Sequence, residues 1–185
     1  MASSPVPPTV IVGQALVAHP TGALLLVRPA GADFFRLPGG VVPHGVGDGE
    51  ATVAAVRGQT GLAVRLQRLV AKDFVRPPRP GAPAEIHLVH NAGQVRETAL
   101  RPNAGGPEAR WVPREELGSW CEPALAARVR AAVLAALTGT FAELDTGCPM
   151  RRGPVPEQQD CPACLNSLSH GAPTAQAERP CAATR

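Results

Sequence analysis

The chain has 185 residues, 44% hydrophobic and 18% charged, with a formal net charge of +3. Its 19 glycines and 21 prolines exclude a mostly helical bundle, and the hydrophobic share is enough for one cored domain with an appendage. Four Phe, two Trp, no Tyr and no basic block argue against a nucleic-acid surface built from a phosphate-tracking stripe and stacking platforms, and no nucleic-acid partner is expected.

Residues 1–8 read as a flexible N-terminus with neither a basic n-region nor an apolar h-region. The first expected strands are Thr9–His19 and Ala23–Pro29, joined by a hairpin turn at Thr21-Gly22. A glycine-rich loop, Pro38–Gly49, follows. A short helix, Glu50–Gln59, should stop at Gly61. Two more Val/Leu/Ile-rich runs, Ala63–Val75 and Glu85–Asn91, read as strands. Pro113–Trp120 reads as a helical turn. Pro123–Leu137 reads as a helix with Pro123 at its first position, an apolar face of Leu125, Val129, Val133 and Leu137, and a stop at Gly139. A last strand is expected within Thr140–Leu144. Several strands with one early and one late helix define an α/β domain over residues 9–145.

From Thr146 the character changes. Residues 146–185 are Pro-rich, hold no aromatic and show no periodicity, which reads as a disordered tail. Four of the five cysteines lie there: Cys148, Cys161, Cys164 and Cys181. Cys161-Pro-Ala-Cys164 has zinc-knuckle spacing, but a tetrahedral site needs a second such pair or a nearby His, and Cys148, His170 and Cys181 stand at spacings that fit no zinc ribbon, so unliganded thiols are the main expectation and zinc the minor one. No apolar run approaches the ~20 residues needed to span a bilayer. No membrane partner is expected, and the expected location is the cytoplasm.

The chemistry-bearing segment runs from Leu37 to Leu62. Its Leu37-Pro-Gly-Gly40 and Thr60-Gly-Leu62 ends, together with Arg110-Trp111-Val112-Pro113-Arg114-Glu115-Glu116-Leu117 downstream, resemble the Nudix hydrolase family over roughly residues 9–145. The likeness is to small Nudix proteins of GC-rich actinobacteria. The resemblance implies an α/β/α sandwich around a mixed sheet. It also implies a helix whose carboxylates hold Mg²⁺ against a diphosphate. Here the match fails. With Gly40 and Gly61 as the first and last box glycines, the box Glu falls on Val46. The Arg-Glu pair falls on Ala54 and Ala55, and the Glu-Glu pair on Gly58 and Gln59. Mg²⁺ takes hard oxygen ligands, and alanine and glycine supply none. A gapped alignment makes Asp48-Gly49-Glu50 the family's x-Gly-Glu and Arg57 its arginine, yet it deletes the positions of the metal-binding glutamates. Either way the paired carboxylates are missing.

What remains gives the candidate site. His44, Asp48 and Glu50 lie at the loop and helix start, and Glu108 precedes the Arg110-Trp111 element; these are the candidate acid–base groups. Arg28, Arg36, Gly39, Gly40, Arg57 and Glu85 are candidate ligand contacts, the glycines through backbone N–H groups. His87 and His90 differ by an odd number on one strand and must face opposite ways; only one can share Glu85's side. Two functions stay open. One is a Nudix-fold protein without the Mg²⁺ cluster that binds a small-molecule, nucleotide-like or diphosphate ligand, or works as a metal-free biosynthetic enzyme without cofactor. The other is a Mg²⁺-dependent hydrolase of a nucleoside diphosphate-X substrate with displaced ligands Asp48, Glu50, Glu85 and Glu108.

Overall fold

Strand β1 (Thr9–Ala18) serves two cores at once, because successive side chains of a strand point to opposite faces. Ala15 and Val17 join a cluster with Leu25, Val56 and Leu62 on one side. Leu16 joins Leu24, Val89, Val112 and Val129 on the other. A strand covered on both faces reads as a continuous apolar run, and residues 13–17 are all buried.

The computed structural model describes residues 8–96 and 98–150. After β1 come β2 (Leu24–Arg28), β3 (Gly39–Val41), helix α1 (Asp48–Thr60), β4 (Arg68–Val75) and β5 (Ala84–Gln94). Then come β6 (Glu108–Val112), the short α2 (Leu117–Trp120), α3 (Pro123–Thr138), β7 (Ala142–Asp145) and β8 (Cys148–Pro149). The strands form one sheet in the order β6-β2-β1-β5-β4-β7-β8, with β3 also paired to β1. The β1–β5 and β4–β7 pairs are parallel and the others antiparallel, so the sheet is mixed. Helix α1 covers one face and α3 the other, the expected α/β/α sandwich. Among the described residues no helix is long and apolar enough to cross a membrane.

Two glycines let α1 and β3 close on β1. A Cβ on Gly13 would stand 2.2 Å from Thr52 Oγ1, so the helix lies directly on the strand there. Gly39 has φ 150°, and a Cβ on it would meet the Gly13 carbonyl oxygen at 2.1 Å. The loop expected over Pro38–Gly49 therefore opens with strand β3, paired Val12 to Val41. Helix α1 begins two residues before the expected Glu50 and ends at Gly61, whose N–H reaches the Arg57 carbonyl at 2.8 Å.

Other expectations need correction. The run expected as strand from Ala63 enters the ladder only at Arg68; before that, Val64 and Leu66 pack against the α1-side core. The i+4 face read on α3 drifts, because four residues turn a helix about 400°. Leu125 and Val129 are buried, but Leu137 is 70% exposed. The face that docks instead runs through Leu125, Arg128, Val129, Ala132 and Ala135. The Arg110-Trp111 element, for which no strand is expected, lies in β6 and pairs antiparallel with β2. The domain continues past Asp145 to β8, which takes Cys148 out of the expected tail. Residues 151–185, with Cys161, Cys164 and Cys181, lie outside the described residues.

The Gly147 N–H lies 3.1 and 3.0 Å from the two carboxylate oxygens of Asp73, a buried residue of β4. A chain ending at Asp145 should therefore be less stable than one ending at Met150, by about 1.5–3 kcal/mol for a hydrogen bond to a charged group. Urea melts compare the two; equal midpoints and slopes would remove β8 and its turn from the fold.

Candidate functional site

The site is built around charges that the sheet and α3 bury together. Asp73 is fully buried and Arg128 is 5% exposed, and Arg128 Nε donates to Asp73 Oδ2 at 2.7 Å. Burying either charge alone is prohibitive, so each requires the other. One Arg128 Nη then reaches the Nδ1 of His87 on β5 at 3.0 Å, and the Oε1 of Gln14 on β1 at 3.4 Å. A guanidinium only donates, so Nδ1 accepts and the ring proton sits on Nε2. Nε2 in turn donates to Glu85 Oε2 at 2.7 Å. Burial holds the His87 pKa below its ordinary value, and the Arg128 charge pushes the same way, against the pull of Glu85 and Asp73. The imidazole is thus a neutral bridge between a buried cation and a carboxylate at the mouth.

This chain of contacts ends in a cavity of about 540 Å³, within the range of small-molecule sites. Gln14, Glu85, His87 and Arg128 supply its polar side. Pro29, Phe34 and Leu125 supply apolar wall. Arg36, predicted as a ligand contact, lies on the rim, and so do Asp33 and Glu122.

The other expected residues are not gathered there. His44 is exposed on the loop before α1. Glu50 and Arg57 share a shallow hollow on the outer side of α1 with Val53, Ala54 and Leu66. Asp48 Oδ2 is 2.7 Å from His90 Nε2. His90 thus turns toward α1 while His87 turns toward α3, the opposite facing expected from their spacing. Glu108 pairs with Arg28 across the β2–β6 ladder and with Arg110 at 3.2 Å. Strands β6 and β5 are three places apart in the sheet, roughly 14 Å at ordinary strand spacing. Glu108 and Glu85 are therefore not neighbours. Gly39 meets the side chain of Gln59: its N–H donates to Oε1 at 2.9 Å, and its carbonyl accepts from Nε2 at 2.8 Å. Gly40 lies beside it on β3. Cys121 is buried, and burial pushes its thiol up to about 11, which removes it as a nucleophile at neutral pH.

Sequence reading missed Gln14, Phe34, Asp73 and Arg128. A signal existed for two of them: Asp73 interrupts an apolar strand, and Arg128 interrupts an apolar helix face.

No protein-family model and no curated protein matches this sequence. Solved structures do match in fold. The chain is similar to a MutT protein from Methanosarcina mazei Go1, with 22% identity, 74% of this chain and 99% of that one covered, and a TM-score of 0.60. A Nudix hydrolase from Nitrosomonas europaea is 12% identical, with 75% and 78% covered and a TM-score of 0.60. An ADP-ribose pyrophosphatase from Streptococcus suis 89-1591 is 17% identical, with 76% and 99% covered and a TM-score of 0.56. The protein has the Nudix hydrolase fold.

That fold implies Mg²⁺ on α1, and the residues present do not fit it. Ala54, Ala55 and Gly58 carry no donor. Gln59 is engaged on both sides of its amide by Gly39, and Asp48 is engaged by His90. Among the described residues no group of three His, Cys, Asp or Glu side chains is placed to hold a metal.

Two outcomes follow. Gln59→Glu replaces a donor to the Gly39 carbonyl with a carboxylate oxygen, so it should destabilise the fold by about 1–3 kcal/mol; denaturant melts unchanged from the parent would contradict this staple. His87 gives a pH signature. Its folded pKa is depressed, so between its ordinary value near 6.5 and the lower folded value the unfolded chain binds more protons. Stability should fall as pH drops below about 6.5, and the fall should be shallower in His87→Gln. Parallel stability–pH curves for parent and variant would show that His87 is not held neutral.

Proposed function

We propose that this Nudix-fold protein binds a small organic molecule in the cavity between β5, the segment 29–36 and α3, and that α1 no longer works as a Mg²⁺-dependent diphosphate-cleaving helix. The observation that carries this is the placement of ordered polar side chains. Gln14, Glu85, His87 and Arg128 converge on one cavity, while the α1 positions carry Ala54, Ala55, Gly58 and a Gln59 engaged with Gly39. A preformed pocket with apolar wall and a few fixed polar groups is what small-molecule recognition requires. Any proton transfer there would be metal-free and would use the carboxylate of Glu85, because both His87 nitrogens are engaged within the protein. The displaced-ligand hydrolase would need Asp48, Glu50, Glu85 and Glu108 on one ion, but Asp48 and Glu50 lie on α1, Glu85 is held through His87 on the α3 side of the sheet, and Glu108 is paired with Arg28 on the β2–β6 ladder.

Assays of phosphate release from ADP-ribose, UDP-sugars and nucleoside triphosphates test this directly. No EDTA-sensitive turnover above background is expected. A thermal-shift screen of uncharged, cationic and anionic metabolites should give stabilising ligands, since a ligand bound only by the folded state raises its stability. Ala32→Trp, which narrows the cavity from its loop wall, should abolish those shifts. Mg²⁺-dependent turnover that persists in Ala32→Trp would overturn the proposal.

A further inference from the structure

The cavity is not built for an anion. Its lining carries the carboxylates of Asp33, Glu85 and Glu122 against the single rim cation Arg36. The second arginine, Arg128, is already matched by Asp73 at 2.7 Å. Glu122 at the N-cap of α3 lines this space with Ala124 and Leu125, so an acid stands where a helix start would otherwise favour an anion. An incoming diphosphate would therefore meet carboxylates with little free positive charge to offset them.

Glu85 differs from the other two acids. All three are open to solvent, the Glu85 side chain being 44% exposed, but Glu85 has Oε2 fixed at 2.7 Å by His87. His87 is itself fixed by Arg128, and Arg128 by Asp73. The carboxylate is thus oriented by a buried chain of three side chains, and its other oxygen is left for a ligand. Beside it stand Phe34, which is 44% exposed, and Pro29 and Leu125. A positioned carboxylate next to exposed aromatic and aliphatic wall suits a flat ring carrying paired N–H donors.

Resting on the cavity reading above, we infer that Glu85 anchors a planar ligand with a positively charged, N–H-rich head of the amidinium or guanidinium class. Charge-assisted pairs of that kind are short and stronger than neutral ones; Oε1 accepts one N–H, and a second N–H shares Oε2 with His87 through its remaining lone pair. His87 is a positioning residue in this arrangement.

An isosteric series separates charge from shape. Benzamidine, benzamide and benzoate share one ring and differ in head-group charge; inorganic pyrophosphate represents the diphosphate class. Titrations of the full chain followed by ¹H–¹⁵N NMR should show benzamidine binding roughly tenfold or more tighter than benzamide, with benzoate and pyrophosphate silent. Glu85→Gln should weaken benzamidine by a similar factor while its melting temperature stays near the parent's. Arg36→Gln, which removes only the rim cation, should leave benzamidine binding equal or tighter, and it covers the case in which Glu85→Gln fails to fold. Benzamidine that binds no better than benzamide, or equally to Glu85→Gln, or more weakly to Arg36→Gln, overturns the inference. Pyrophosphate or benzoate shifting the cavity resonances while benzamidine does not would overturn the ligand class and leave the cavity reading standing. Silence from all four probes sinks the inference alone, because the thermal-shift screen judges the cavity separately.

Discussion

The buried ion pair of Asp73 and Arg128 is the constraint on which the rest of this site depends. It joins the middle of β4 to the docking face of α3, at a depth where neither charge is tolerated singly. Removing one partner of such a pair costs about 3–5 kcal/mol, so the pair fixes the register of α3 on the sheet. It also draws the Gly147 N–H inward and thereby places the turn before β8. Outward, Arg128 fixes the tautomer of His87, and His87 orients Glu85. Packing, strand order and site polarity are thus one network. A residue that looks structural, Asp73, decides which way a carboxylate points 12 positions later in the chain.

Helix α1 shows the converse. Its buried side chains are spent on docking a helix against a sheet. Thr52 lies against Gly13, Val56 and Thr60 are buried, and Gln59 pairs with both backbone groups of Gly39. The last contact uses both ends of an amide, the oxygen accepting from the Gly39 N–H and the nitrogen donating to the Gly39 carbonyl, which a carboxylate cannot do. A glutamate there would face the Gly39 carbonyl with like polarity. Gln59 thus staples β3 to α1, and this contact holds the helix on the sheet with no bound ion.

Much of the scaffold was legible because its signals are local. Leu37-Pro-Gly-Gly40, the stop at Gly61 and the start at Pro123 each announce themselves within a few residues. The alternation of His87 and His90 followed from strand period alone. The site was less legible because its members are distant in sequence. Asp73 and Arg128 are separated by 55 residues, and Gln14 lies 114 residues before Arg128. Nothing in the spacing of Glu85 and His87 says which buried cation stands behind them. Short strands failed for the same reason: β3 and β6 are defined by partners on β1 and β2, not by their own composition. On α3 the apolar i+4 row drifts off the docking face, and the one charge on that face, Arg128, carries no local sign of its distant partner.

The central claim is that recognition occurs between β5 and α3 rather than on α1. Backbone ¹H–¹⁵N NMR mapping of the strongest ligand from an unbiased metabolite screen, recorded with and without Mg²⁺, tests it most directly. The account predicts shifts clustered at residues 34–36, 85–88 and 122–128, independent of Mg²⁺. Shifts confined to residues 39–59 that appear only when Mg²⁺ is added would contradict it.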